Sequence, residues 1–298
     1  MLRSQSAATL PLDQSSPRRK SAHRIVLGGS LIMLVSMVLV NVFNLFYNVF
    51  MARTLGPAEF GHINAAVTIL LIASCVSLAF QLVCSKFVVR NTSRPTQVWV
   101  FRSLLRKSWL ASVVLGLGLF LLSRPVADYL NLPGSRMVQA LALGIAVYAP
   151  LGVKRGVLQG LCLFQTLGVN FVAEAFTRFT AGVAMVLLGY GTFGAVGAIS
   201  LGVVAAYLVP LPRELRGPAE PGQPPSFAEG LQVIVFFVGQ VIINNIDILL
   251  VKHFFPPEQA GLYAAISQVG RFLYFICWFG VVNVMFPVSA AAQDEDHH

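Results

Sequence analysis

Apolar residues fall in about eight long stretches along this chain, near 25–51, 61–85, 108–129, 136–160, 167–190, 191–212, 228–254 and 259–289, with short polar segments between them. A helix needs roughly 20 mostly apolar residues to cross the hydrocarbon of a bilayer. Each stretch meets that length, so the pattern predicts an all-α integral membrane protein with about eight transmembrane helices. The first run, Ile25 to Met51, is too long for a cleaved secretory signal and is not followed by a small-residue cleavage site. It therefore reads as a retained span behind a basic cytoplasmic tail, residues 1–24. Arg18-Arg19 is a basic flank of that span rather than a twin-arginine address.

The first two spans recur in the last two. Sliding 31–66 onto 231–266 without a gap superposes Leu31 on Leu231, Val35 on Val235, Asn44 on Asn244, Pro57 on Pro257, Gly61 on Gly261 and Ala65 on Ala265. Apolar matches are common in such a composition, whereas an intramembrane Asn, a loop Pro and a Gly opening the next helix are not. Copies that start on the same side are parallel repeats about an axis along the membrane normal, as in the two halves of many transporters. This predicts a first six-helix lobe over 25–212, a Pro/Gly-rich cytoplasmic linker over 213–227 (RELRGPAEPGQPPSF), and two helices of a second lobe with a terminal tail over 228–298. A complete second lobe would need six helices, so the expectation is a C-terminally truncated sequence.

Charge then orients the spans. With the N-terminus inside, the inner segments hold Arg3, Arg18, Arg19, Lys20 and Arg24; Lys86, Arg90, Arg94, Arg102, Arg106 and Lys107; Lys154 and Arg155; and Arg213 and Arg216. Of the chain's 21 Lys and Arg, only Arg53, Arg124, Arg136 and Lys252 fall outside, with Arg178 and Arg271 in spans. The bias predicts a multi-pass protein of the cell membrane with both termini cytoplasmic. It also accounts for the net charge of +9 through topology and anionic headgroups, with no nucleic-acid partner required. The 86–107 segment reads as a positive-inside loop, or as a headgroup-level helix anchored by Trp99 and Trp109. At 56% hydrophobic, 11% charged and a mean hydropathy of +0.74, the composition lies outside the range of soluble domains. Cys75, Cys84, Cys162 and Cys277 form no CxxC pair and have no His at ligand spacing, so no metal site, structural disulfide or cofactor is expected. His297 and His298 read as a tail.

Polar residues inside the spans carry the chemistry, because a charged side chain at the bilayer centre costs about 2.5–3.5 kcal/mol. Asn41, Asn44 and Asn48 recur at helical spacing on the first span, and Gln240, Asn244 and Asp247 do so on the seventh, giving each helix one polar stripe. These stripes either line a cavity or serve as interhelical hydrogen bonds. Glu174 and Arg178 stand four apart on the fifth span, where an intrahelical ion pair would lower the insertion cost. Arg271 has no nearby acid in sequence and must find a partner across helices or face water. An arginine in a wet intramembrane cavity suits a phosphate or carboxylate, since its planar fork donates paired hydrogen bonds and keeps its charge. The candidate substrate-binding residues are thus Arg178, Arg271, Asn44 and Asn244, and the candidate cavity charges Glu174 and Asp247. No catalytic residue is expected.

Four segments carry a family resemblance: ARTLGPAEFG (Ala52 to Gly61), GVLQGLCLFQTLGVNFVAEAFTR (Gly156 to Arg178), GYGTFGAVGA (Gly189 to Ala198) and NNIDILLVKHFFPPEQAGLYAAISQVGR (Asn244 to Arg271). They resemble the polysaccharide-export flippases, Wzx-type members of the multidrug/oligosaccharidyl-lipid/polysaccharide exporter superfamily. The resemblance runs through most of 25–290. It implies a non-enzymatic transporter of two six-helix lobes that moves a polyprenyl-diphosphate-linked glycan across the membrane by alternating access, alongside other polysaccharide assembly proteins. It also implies that Glu174, Arg178, Asp247 and Arg271 are cavity charges. The rival readings are a cation-coupled multidrug exporter, which would favour acids over arginines in its cavity, and a nonfunctional truncated fragment. A membrane glycosyltransferase or polymerase is the enzymatic rival, and it would need a sizeable outer loop with acidic or His residues.

Overall fold

The computed structural model describes residues 17–270 apart from 213, 214, 216 and 223–226, with side chains described from Gly28 in the first helix and from Gly230 in the eighth. Arg271 and most of the last expected span lie outside the described residues, as do parts of the 213–227 linker. The described chain is helical without a strand: α1 Pro17–Leu55, α2 Pro57–Arg90, α3 Arg94–Leu121, α4 Ser123–Tyr129, α5 Ser135–Gly160, α6 Phe164–Met185, α7 Gly191–Leu208, α8 Phe227–Phe254 and α9, 257–270.

Six stretches among the described residues are long and apolar enough to cross a membrane: Gly28–Leu55, Pro57–Arg90, Arg94–Leu121, Ser135–Gly160, Phe164–Leu208 and Gly230–Phe254. The fifth, of 45 residues, holds two of the expected spans, because the chain turns back through Val186–Tyr190, where Gly189 has φ 88° and Gly191 φ 52°. Positive φ costs an L residue with a side chain about 1–2 kcal/mol, and glycine avoids that cost. The return is antiparallel: Gly194 packs on Met185, and Gly202 on Glu174 and Arg178.

The basic 86–107 segment is not a loop. Only residues 91–93 break the helix, and α3 runs unbroken from Arg94, with the Ser93 side chain accepting from Thr96 N at 3.4 Å and Pro95 in the first turn. Prolines suit that turn because the N–H they lack would have no intrahelical partner there. Trp99 joins a buried cluster with Val98 and Phe101, and Trp109 meets Tyr207 edge-on at 5.5 Å. Both rings therefore pack on other helices of the bundle.

Helix α5 sits at the centre. Its glycines Gly152, Gly156 and Gly160 face the backbone of α2 at Ser77, Gln81 and Ser85, so closely that a Cβ on any of them would overlap α2. Small residues four apart let helix backbones touch, which drives association in lipid where the hydrophobic effect gives little. Across the other face of α5, the Ser112 hydroxyl of α3 accepts from Ala149 N at 3.0 Å and donates to Ile145 O at 2.7 Å. It thereby bridges the backbone pair just before Pro150, the proline inside this helix. The core between α1, α2, α5 and α7 is apolar, built from Tyr47, Met51, Phe60, Ile63, Leu141, Ile145, Val196 and Ile199. Large apolar side chains also cover the outside, with Ile243 81% exposed, as expected of a surface that faces lipid.

Repeat-equivalent residues meet. A Cβ on Gly61 would sit 3.1 Å from Cα and N of Gly261, and Gly61 faces Pro257 O as Gly261 faces Pro57 O. The starts of α2 and α9, which match at this offset in sequence, therefore pack on each other. Close by, Gln268 Nε2 donates to Asn64 Oδ1 at 3.0 Å.

Candidate functional site

The α1 and α6 helices run side by side in the same direction, because Gly168 packs on Ser36 and Gly182 on Tyr47 and Met51. The Phe43 ring lies 5.5 Å from Phe176 and 6.1 Å from Phe179, which puts Asn44 and Arg178 at one level. Arg178 is half-buried with its guanidinium 5.7 Å over the Tyr47 ring, and its Nε has no hydrogen-bond partner among the described residues. Asn44 Oδ1 is likewise buried without a partner among them, although the Asn44 backbone carbonyl accepts from Asn48 Nδ2 at 2.9 Å. A bare donor and a bare acceptor thus stand on neighbouring helices at the same depth. Polar atoms buried in this way are held at a cost that a ligand or water relieves.

The expected Glu174–Arg178 pair is corrected by α5. Glu174 Oε2 takes Arg155 Nη2 at 2.5 Å, and the two side chains are only 14% and 7% exposed. Arg155 Nε also donates to Asn170 Oδ1 at 2.7 Å, its guanidinium lies 4.0 Å over the Phe171 ring, and Asn170 Nδ2 donates to Ala206 O at 2.7 Å. This network ties α5, α6 and α7 together and engages Glu174 with Arg155 rather than with Arg178. Lys154, next along α5, is buried as well. Its Nζ donates to Tyr207 O and to Val209 O, at 3.0 Å for the latter, where the carbonyls end α7 and the helix dipole favours a cation. Lys154 and Arg155 therefore do not belong with the headgroup-facing residues, contrary to the charge count along the sequence. Their place near a span end hides both from a sequence reading. The signal that marks them is two adjacent cations between α5 glycines that have no room to leave the helix contact.

The remaining candidates lie elsewhere. Asn41 and Asn244 are exposed and bond back to Met37 O and Gln240 O, at 2.9 and 2.7 Å. On α8 the buried amide is Asn245, not Asn244. Asp247 Oδ2 accepts from Tyr263 Oη of α9 at 2.8 Å. Helix α8 packs chiefly on α2, so Asn244 and Asp247 are not gathered with Arg178. Cys75, Cys84 and Cys162 are free thiols, and Cys277, like Arg271, lies outside the described residues.

A family model described as polysaccharide biosynthesis protein matches residues 50–298. The chain belongs to this family. A search of curated proteins finds no match. Solved structures give the fold. An inward-facing multidrug resistance MATE family transporter of the MOP superfamily matches with TM-score 0.59 at 14% identity, over 84% of this chain and 62% of that one. The MATE multidrug transporter DinF-BH matches with TM-score 0.66 at 15% identity, over 91% and 64%. A MOP-superfamily transporter from Pyrococcus furiosus, whose binding pocket is described as having reverse polarity, matches with TM-score 0.56 at 15% identity, over 88% and 61%. The fold is MATE-like and the chain is a membrane protein of transporter architecture. It spans less than two thirds of the length of these structures.

Proposed function

We propose that this protein takes part in flipping a polyprenyl-diphosphate-linked oligosaccharide across the cell membrane for surface polysaccharide assembly. The observation that carries the reading is Arg178 without an acidic partner among the described residues: Arg155 takes the Glu174 carboxylate, which leaves the Arg178 Nε and the Asn44 Oδ1 bare in the bundle. A sugar diphosphate cannot cross about 30 Å of hydrocarbon unaided. A guanidinium and amides replace its hydration while the polyprenyl tail stays in lipid, and rocking of the two repeats exchanges the leaflet that the cavity faces. A cation-binding drug exporter needs the opposite sign of charge at this place. Membership of the polysaccharide biosynthesis family points the same way.

In this reading the chain is a carrier and not an enzyme, the end of the bundle bearing Lys86, Arg90, Arg102 and Arg106 is cytoplasmic, and both termini lie on that side. Arg271 and Asn244 supply further substrate contacts from the second repeat. Asp247 is the protonatable group left for ion coupling, Glu174 being held by Arg155. The partners are the bilayer, the lipid-linked glycan and other polysaccharide assembly proteins. The test is complementation of a flippase-deficient strain, scored beside protein abundance. Arg178→Ala should lower glycan export at least tenfold at unchanged abundance, and Arg178→Lys should recover only part of it, because an ammonium lacks the bidentate fork. Full export by an abundant Arg178→Ala protein overturns the proposal.

A further inference from the structure

Beyond the Arg178 site, one buried cation has no hydrogen-bond partner among the described residues. Lys252, in the last turn of α8, is 1% exposed, and its Nζ is bare. It lies where the second repeat closes on the first at the end bearing Pro57. The Asn131 amide donates to the Lys252 and His253 carbonyls at 3.4 and 3.0 Å, and His253 stacks on Tyr129 at 4.1 Å, which holds the backbone of α8 in place. The acids whose charges reach Lys252 are Glu59 of α2 and Glu258 of α9. Glu59 takes the Thr192 hydroxyl instead, and Glu258 is exposed. On the same face of α2, His62 is 6% exposed and its Nδ1 also lacks a partner among the described residues. Lys252 Nζ and His62 Nδ1 are thus buried at one junction without a hydrogen-bond partner among the described residues.

We infer that Lys252 is a built-in spring: its buried ammonium opposes closure of the α2–α8 junction and biases the two repeats toward opening at the end bearing Pro57. The sign follows from two opposed terms. Burying an ammonium without a hydrogen-bonded counter-ion costs more than partly hydrated acids return at longer range. The closed junction therefore carries an uncompensated desolvation cost, and separation of α8 from α2 removes it by wetting Lys252 and His62. The neighbouring Gly61–Gly261 contact gives the two repeats a close approach without side chains in the way. The inference rests on the rocking motion proposed above but not on the identity of the cargo.

The experiment uses the full chain in right-side-out membrane vesicles, with the native cysteines replaced and one cysteine placed at Ala264, a buried residue of α9. A membrane-impermeant maleimide is added on the side bearing Pro57, and its rate of reaction is normalised to labelling after denaturation. Lys252→Met should slow labelling about tenfold, since an apolar chain of similar length rests in the junction without cost. Lys252→Arg should keep the wild-type rate. Glu59→Gln, which preserves an acceptor for Thr192 but removes the compensating charge, should quicken it. Faster or unchanged labelling in Lys252→Met overturns the inference and makes the lysine a latch or a spectator. Should that variant not accumulate, Glu59→Gln decides alone, and a slower or unchanged rate there overturns it equally. Labelling needs no substrate, so this result stands or falls separately from the export assay on Arg178.

Discussion

Replacing Arg155 with Met isolates the contribution of the α5–α6–α7 network. The substitution keeps much of the side-chain volume but leaves the Glu174 carboxylate, 14% exposed, without its 2.5 Å partner, and strips Asn170 Oδ1 of its donor. Removing one member of a buried ion pair costs about 3–5 kcal/mol, and an orphaned amide acceptor adds about 1 kcal/mol or more. At about 2–4 °C per kcal/mol for a chain of this order of size, the loss amounts to a fall on the order of 10 °C in thermal midpoint. The midpoint is read by heating detergent-solubilised protein and measuring the fraction that stays monodisperse on size exclusion. The double variant Arg155→Met/Glu174→Leu should recover most of the loss, because replacing both members of a buried pair with apolar groups is often neutral or stabilising. Arg178→Ala alone should cost much less, since it removes no counter-ion of Glu174. The reasoning is refuted if Arg155→Met is as stable as the parent. It is equally refuted if Arg178→Ala is the damaging change and Glu174→Leu rescues it, the outcome that the four-residue spacing on α6 predicts.

Two glycine positions give tests with built-in controls. Gly156→Val drives a side chain into Gln81 and Cys84 of α2 and should cost about 1–3 kcal/mol or more, seen as reduced folded yield, whereas Gly118→Val projects into open space and should be silent. Gly189→Ala places a side chain at φ 88° and should lower the thermal midpoint by an amount matching about 1–2 kcal/mol, while Gly197→Ala, inside α7 with its nearest neighbour 4.0 Å away, should raise it slightly through helix propensity.

The spans were legible because a bilayer imposes length and apolarity on every crossing helix, and those requirements are local. The Pro57/Pro257 and Gly61/Gly261 matches were legible for a related reason: each marks a backbone need, a helix start or a close approach, that few other residues can meet. The partner of Glu174 was not legible. Intrahelical spacing made Arg178 the nearest cation in sequence, but the choice was set by how α5 lies against α6, and that depends on the glycine face it turns to α2. The basic 94–107 segment misled in the other direction. Its charges suited a cytoplasmic loop, yet Ser93 and Pro95 start a helix there, and that helix carries the charges on exposed faces while burying Val98, Val100 and Phe101.

The buried and half-buried cations divide by what compensates them, and the division separates structure from function. Lys154 meets the carbonyls that end α7, and Arg155 meets Glu174 and Asn170, so each fastens one helix to another. Arg178 lies over the face of Tyr47 with its Nε bare, and Lys252 Nζ has nothing within hydrogen-bond reach, both among the described residues. A fold under selection for stability alone replaces such groups with apolar ones at little or no loss. The two uncompensated cations stand at different places, one inside the first repeat at the depth of Asn44 and one at the junction with the second. The first position suits holding an anion and the second suits moving the repeats apart, the two tasks that alternating access requires of one chain.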